Sequence, residues 1–204
     1  MTISQDEILS HLNNNVFKVI SQTADEMNLE CYLIGGYVRD FFLYRPSNDI
    51  DVVAIGSGID LAKSVGRNLG VKKDVTVFKH FGTAQIKYKG YDIEFVGARK
   101  ESYSQDSRKP AVEEGTLEDD QKRRDFTINA MAFCLNSNRF GELIDPFNGM
   151  QDLENLIIRT PLNPDITFSD DPLRMMRAVR FASQWGFDIY PDTFDAIKRN
   201  AERI

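Results

Sequence analysis

The chain has 204 residues, of which 42% are hydrophobic and 27% charged, with a net charge of −6; this is enough apolar material for one medium domain, or a domain and part of another, and it excludes a disordered chain or a fibre. No apolar run approaches the ~18–20 residues that span a bilayer, and the start MTISQDEILSHLNNN lacks the basic and apolar stretches of a secretory signal. The acidic balance argues against a strong non-specific nucleic-acid clamp, although binding needs only a local basic stripe.

Ser4 with Glu7 predicts a capping box opening one helix over about Gln5 to Met27, with Ile8, Leu9, Leu12, Val16, Val19 and Ile20 as its apolar face. Cys31 to Ile34 reads as a short buried strand running into Gly35-Gly36, and Val38 to Leu43 as a short helix. Asp49 to Ile55 is a second strand, with a helix behind it over Leu61 to Leu69. Val75 to Phe78, Thr83 to Tyr88 and Tyr91 to Val96 are strand-like, the last two joined by a Lys89-Gly90 turn. Arg99 to Asp125 is mostly charged and carries Ser, Pro and Gly, which predicts a mobile loop. Phe126 to Leu135 recovers apolar character as helix or strand, and Gly141 to Gly149 is turn-rich. Two helices follow, one over about Ser169 to Trp185 and one from Thr193 with Asp192 as N-cap. Mixed elements followed by helices make an α+β chain. Its helical pattern runs to Ile204 without a breaker, which reads as a truncation or a domain fragment.

Cys31 and Cys134 lie in apolar segments more than a hundred residues apart and read as buried thiols of a reducing, cytoplasmic compartment. With His11 and His80 the only histidines and no Cys pair, a zinc site is not expected.

The sharpest feature is Gly35-Gly36-Tyr37-Val38-Arg39-Asp40, followed by Asp49-Ile50-Asp51. Residues i and i+2 of a strand share a face, so Asp49 and Asp51 project side by side while Ile50 and Val52 face the core. Such a pair either marks a polar strand end or repels until a cation sits between the carboxylates. Hard oxygen ligands suit Mg²⁺, which takes one or two carboxylates plus substrate phosphates. Two glycines between strand and helix let the backbone approach a phosphate, and Arg39 can add a charge-assisted bond. Gly56-Ser57-Gly58, by contrast, lacks the third glycine of a dinucleotide fingerprint and the Gly-Lys of a P-loop, and is a strand-to-helix turn. Arg123-Arg124-Asp125-Phe126-Thr127-Ile128-Asn129-Ala130 is either a capped helix start with a basic flank or a polar wall for a ligand. After Asp170-Asp171-Pro172, Arg174, Arg177 and Arg180 recur at three-residue spacing, with Leu173, Met176, Val179 and Trp185 on the other side. That row is a solvated face, or Asp171 and Arg174 present a carboxylate and a guanidinium fork to a flat ligand such as a nucleobase.

From Tyr32 to Phe187 the chain resembles the class II nucleotidyltransferases, the family of tRNA nucleotidyltransferases (CCA-adding enzymes) and poly(A) polymerases. The resemblance is carried in order by LIGGYVRD, DID, RRDFTINAMAF, LIDPFNG and DDPLRMMRAVRFA. It implies a nucleotidyltransferase head over 1–150, a small mixed β-sheet flanked by helices. The start of an all-helical neck with a nucleobase-reading helix is implied over 151–204. Asp49 and Asp51 would be the catalytic ligands of Mg²⁺. Gly35, Gly36 and Arg39 would lie at the nucleotide's phosphates, and Arg124 would line the pocket. Asp171 and Arg174 would read cytosine or adenine, with Arg177 and Arg180 as further nucleotide contacts. The family often has Glu-Asp where this chain has Asp170-Asp171. Glu94, which shares a strand face with Asp92, is either a third carboxylate or an edge-strand charge.

The implied activity is template-independent transfer of CMP and AMP from CTP and ATP to a tRNA 3′-hydroxyl, with release of pyrophosphate. The alternatives are a poly(A) polymerase and a partial enzyme that adds only C or only A. A silent nucleotide-binding module is the rival from another class, and intact Asp49 and Asp51 speak against it. Arg99 to Asp125 would be a gate between CTP and ATP states, and further helical regions that hold the tRNA would lie beyond Ile204.

Overall fold

The computed structural model describes residues 3–104 and 107–204, and the side chains of all of these except 101–112. Ser4 accepts from the Glu7 amide while the Glu7 carboxylate accepts from the Ser4 amide, which closes the capping box of α1 (Gln5–Leu12). The single helix expected as far as Met27 is two helices. Asn14 is extended, and its side chain accepts from the Val16 and Phe17 amides to start α2 (Asn15–Glu26). An Asn side chain that satisfies orphan amides competes with continuing the helix.

Strands β1 (Cys31–Ile34) and β2 (Asp49–Ala54) flank α3 (Gly36–Phe42), and α4 (Gly58–Asn68) follows. Next come β3 (Val75–Phe78), β4 (Thr83–Tyr88) and β5 (Tyr91–Gly97). Further along, β8 (Ala132–Cys134) and β9 (Leu143–Ile144) complete a seven-stranded sheet, after β6 (Arg99–Ser104) and β7 (Ser107–Glu114) have formed a separate hairpin. The large sheet has the order β3-β4-β5-β2-β1-β8-β9, and β2 with β5 is its parallel pair. One face packs Leu33, Val52, Ile86, Ile93 and Phe95 against Phe17, Ile20, Leu61 and Val65 of α2 and α4. Ser57 caps α4 by accepting from the Asp60 amide, and a Cβ on Gly58 would strike the Val96 backbone. The Gly56-Ser57-Gly58 turn is therefore explained by packing. On the opposite face Tyr32, Ile34, Val53, Ala132 and Cys134 form a smaller apolar cluster.

Arg99 to Asp125 is not the loop its composition suggests. The β6–β7 ribbon pairs from Arg99 with Glu114, and α5 (Leu117–Lys122) follows with Thr116 as its cap. α5 buries polar groups, Asp120 and Gln121, so no apolar periodicity marks it. Gln121 is satisfied by donating to the carbonyls of Ala130 at 2.7 Å and Ile144 at 3.3 Å.

The last part holds α6 (Gly149–Glu154), α7 (Pro164–Asp170), α8 (Leu173–Trp185) and α9 (Pro191–Asn200). It is helical except for a short parallel pair, β10 (Ile157–Ile158) with β11 (Asp188–Ile189). The helix expected over Ser169 to Trp185 is broken at Asp171-Pro172, because proline lacks an N–H and drives the preceding residue extended. Asp171 accordingly has φ −143° and ψ 99°. Pro191 at the first turn likewise makes Tyr190, not Asp192, the N-cap of α9.

The three-residue repeat of α8 becomes three stripes. Met175, Ala178 and Phe181 are buried, the arginines lie alongside, and Leu173, Met176 and Val179 are about half exposed, at 50%, 52% and 50%. No helix among the described residues is long and apolar enough to cross a membrane. Cys31 and Cys134 are buried free thiols, and burial pushes the Cys31 thiol far above its ordinary pKa.

Candidate active site

Asp49 and Asp51 leave β2 on the same face, away from the core that holds Ile50 and Val52. The parallel register sets Asp92 beside Asp49 and Glu94 beside Asp51, so two neighbouring strands carry four carboxylates. Burial pushes the Asp51 carboxyl pKa up; Arg124 pulls it down, while Glu94, Asp49 and Asp120 push it up again. Among the described residues no group of three or more His, Cys, Asp or Glu forms a ready-made metal cage. Asp49 and Asp51 are hard oxygen donors of the kind that a divalent cation takes together with phosphate oxygens.

Gly35 ends β1 with φ +84° and ψ −136°, a conformation that side chains of L-residues resist. A Cβ there would stand 2.9 Å from Arg124 Nη1 and 3.2 Å from Asp51 Oδ2. The missing side chain lets turn, guanidinium and carboxylate converge.

Arg124 is aimed by Asp120, whose side chain is fully buried. Arg124 donates to Asp120 Oδ2 from Nε at 3.2 Å and from Nη2 at 3.0 Å. Arg123 donates to the other oxygen from Nε at 2.9 Å and also from Nη2. Burial alone would raise the Asp120 pKa, but Arg124 and Arg123 overcome it and hold the carboxyl below its ordinary value. Asp120 was not foreseen from the sequence. The signal available was a carboxylate three and four residues ahead of an arginine pair.

A second network ties the glycine turn's helix to α8. Arg39 donates to Asp40 Oδ1 from Nε at 2.9 Å and Nη2 at 2.8 Å, and to Asn129 Oδ1 from Nη1 at 2.6 Å. Its guanidinium lies 4.3 Å from the centre of the Trp185 ring, which stacks on Phe181 at 4.4 Å. Asn129 donates to Asp125 Oδ1 at 3.0 Å, and Arg177 Nε donates to Asp125 Oδ2 at 2.6 Å. Arg174 Nη2 donates to the Arg123 carbonyl at 2.7 Å. Arg180 lies 4.7 Å from the Phe181 ring centre, and Asp171 accepts from the Leu173 amide at 3.2 Å.

Of the residues singled out in the sequence, Gly35, Asp51 and Arg124 thus meet directly. Arg174 and Arg177 are tied to the segment that carries Arg124, and Arg39 is bonded within the network with its guanidinium 3.5 Å from where a Cβ on Gly36 would stand. Arg123 and Arg174 also line a cavity of about 180 Å³ between α5, α7 and α8. A larger one of about 790 Å³, beside α1 and α2, shares no residue with this site.

A sheet face with paired carboxylates beside an arginine-lined glycine turn is the arrangement of a nucleotidyltransferase head. Residues 31–159 match the Poly A polymerase head domain, and the chain belongs to that family. The A-adding tRNA nucleotidyltransferase of Aquifex aeolicus (strain VF5) is 42% identical over 171 residues, which is 84% of this chain and 20% of that protein. The CCA-adding enzyme of Lactobacillus helveticus (strain DPC 4571) is 40% identical over 187 residues, 91% of this chain and 44% of that protein. A solved tRNA nucleotidyltransferase complexed with a primer tRNA and an incoming ATP analog superposes with a TM-score of 0.80 at 38% identity. That match covers 90% of this chain and 50% of the other. The chain spans half or less of the length of these relatives.

Proposed function

We propose that this chain is the catalytic head (1–150) and the start of the base-reading neck (151–204) of a cytoplasmic enzyme that adds C and A nucleotides to the 3′ end of tRNA from CTP and ATP. The observation that carries this is the coupling of α8 to the phosphate turn. Arg174 and Arg177 are bonded to the Arg123 carbonyl and to Asp125, on either side of Arg124, which itself meets Gly35 and Asp51. A base reader held rigidly against a phosphate site is what a protein needs to replace a nucleic-acid template. The buried free thiols support a reducing compartment.

In this reading the triphosphate lies along the Gly35-Gly36 turn against Arg124, and Asp49 and Asp51 hold Mg²⁺. When bound, the ion lowers the pKa of the attacking hydroxyl and neutralises charge on the phosphates. The RNA 3′-hydroxyl attacks the α-phosphorus and pyrophosphate leaves in line. The chain's share is position and charge: Arg124 faces the phosphates, and Asp120 keeps it there. Asp171 accepts from the exocyclic amine that cytosine and adenine share, and Arg174 donates to a ring nitrogen or carbonyl. Guanine and uracil set a carbonyl against the carboxylate and leave polar groups unpaired.

Calorimetric titration of the four nucleoside triphosphates in Mg²⁺ tests this. CTP and ATP are expected to bind at least about tenfold more tightly than GTP and UTP, and Asp171→Ala to erase the preference. Equal binding of all four would overturn the base-reading role. A-only addition is a second reading, favoured by A-adding relatives at 42% and 39% identity; binding of ATP without CTP would establish it. A run of A on a trimmed tRNA would instead mark poly(A) synthesis.

Gly35→Ala is expected to cost about 1–3 kcal/mol of stability, because its backbone conformation is strained for alanine, and to weaken CTP binding by displacing Arg124. A melt and a CTP titration check the two effects separately.

A further inference from the structure

The chain is acidic, yet its charge is segregated. Residues 61–90 hold seven basic residues, Lys63, Arg67, Lys72, Lys73, Lys79, Lys87 and Lys89, against one carboxylate, Asp74. That segment carries +6 while the remaining 174 residues carry −12. All seven cations are exposed.

Lys72, Lys73 and Lys79 flank β3 in the chain and Lys63 and Arg67 of α4 lie beside it, whereas Lys87 is paired with Asp92 at 3.0 Å. Lys63 and Arg67, one turn apart on α4, join Lys72 and the apolar floor of Val75 and Val77 in lining a cleft of about 260 Å³. Lys73 adjoins it. These side chains are held only at the surface: Lys63 meets Asp60 at 3.3 Å with both more than half exposed, and Arg67 donates to Ser64 Oγ at 2.9 Å. Edge strands are often guarded by lysine against pairing with another chain. That role would place the charges on β3, whose residues Val75–Phe78 include none.

The direction of the reaction gives the cations a purpose. On the β1 side of Asp51 the Gly35 turn is closed by Arg124, and α8 stands behind it. In the reading above the triphosphate occupies the Gly35 turn on the β1 side, which leaves the β5–β4–β3 side of Asp49 and Asp51 for the RNA 3′ end. There the strand registers continue a polar row from Asp51 through Glu94 and Gln85 to Thr76, and a second row from Asp49 through Asp92 to Lys87. Both rows end at the β3 edge, and the basic cleft lies around that edge on the α4 side, toward which Val75 and Val77 point.

We propose that Lys63, Arg67, Lys72 and Lys73 form a docking surface for the phosphate backbone of the acceptor RNA, which then rounds the β3 edge and crosses the opposite sheet face to present its 3′ end at Asp49 and Asp51. The proposal rests on the nucleotidyltransferase reading above. Each cation that neutralises a phosphate releases condensed counterion, so affinity falls with salt in proportion to the number of contacts.

Anisotropy of a fluorescein-labelled RNA hairpin with an unpaired 3′ end, titrated with the whole chain over a salt series, tests this. The variant Lys63→Glu/Arg67→Glu/Lys72→Glu/Lys73→Glu is expected to bind the RNA at least about tenfold more weakly and to flatten the salt slope by about two to four. Its CTP titration is expected to match the wild type. A control variant reverses the exposed Lys18, Arg139, Lys198 and Arg203, with the same change of net charge, and is expected to keep most of the RNA affinity. Wild-type RNA affinity and salt slope in the first variant overturn the proposal, and so does an equal loss in the control, which would reduce the effect to net charge. If the reversals lower stability, alanine at the same four positions gives the same test with a smaller expected shift. Equal binding of all four triphosphates by the wild-type chain would instead fail the base-reading role, and no triphosphate binding at all would fail the nucleotidyltransferase reading.

Discussion

Asp51→Asn is expected to lower nucleotide transfer by on the order of a thousandfold or more and, at the same time, to raise the melting temperature. The two effects have one cause. Asp51 is half-buried near Arg124 and three other carboxylates, Glu94, Asp49 and Asp120, and its folded pKa is raised, by burial first. A carboxyl with a raised folded pKa contributes stability that is full below its ordinary value of about 3.9 and is lost as pH rises through the folded value. At neutral pH its charge therefore opposes folding, and the amide removes that opposition. Added Mg²⁺ is expected to raise the melting temperature of the wild type more than that of the variant, since a ligand stabilises the state that binds it. Incorporation of labelled CMP, together with melts with and without Mg²⁺, measures all three. Activity within tenfold of wild type would remove Asp51 from the reaction, and a lower melting temperature in the variant would refute the charge argument.

Asp120→Asn is expected to have the opposite effect on stability. Its carboxylate is the common partner of Arg123 and Arg124 and is fully buried, so neutralising it removes the buried charge to which both guanidinium groups donate. Breaking a buried pair from one side costs about 3–5 kcal/mol, a fall of roughly 6 to 20 °C for a chain of this size. The folded pKa of Asp120 is lowered, so its stabilisation is present above the unfolded value of about 3.9 and is lost as pH falls through the folded one. Denaturant unfolding at pH 7 should show the full gap between wild type and variant, and the gap should narrow below about pH 4. CTP affinity should fall as well, because Arg124 loses the anchor that sets it against Gly35 and Asp51. A variant as stable as wild type at pH 7 would show that the arginines find other partners.

Much of the catalytic half was readable without coordinates. Short apolar runs bounded by turns placed β1 to β5 to within a residue or two, and the two-residue period of a strand put Asp49 and Asp51 on one face. Two misses were also local and could have been read. Asn14 and Pro172 are helix-breaking signals of known mechanism, and each split a helix that apolar spacing alone joined. Arg99 to Asp125 failed for another reason: α5 buries Asp120 and Gln121 through hydrogen bonds, so its inward face carries no hydrophobic pattern.

By itself the sequence determined the local items: the glycine turn, the paired aspartates, the capping box and the arginine row at three-residue spacing. Only the tertiary structure decided that Asp92 and Glu94 stand beside Asp49 and Asp51, through a parallel pairing of strands about forty residues apart. It also turned Arg39 into a network with Asn129 and Asp40, and it made the unremarked Asp120 the anchor of Arg124. Periodicity settles which side chains share a face of one element, because that is geometry along a single backbone. Which face loses water, and which charges meet there, depends on the elements packed against it.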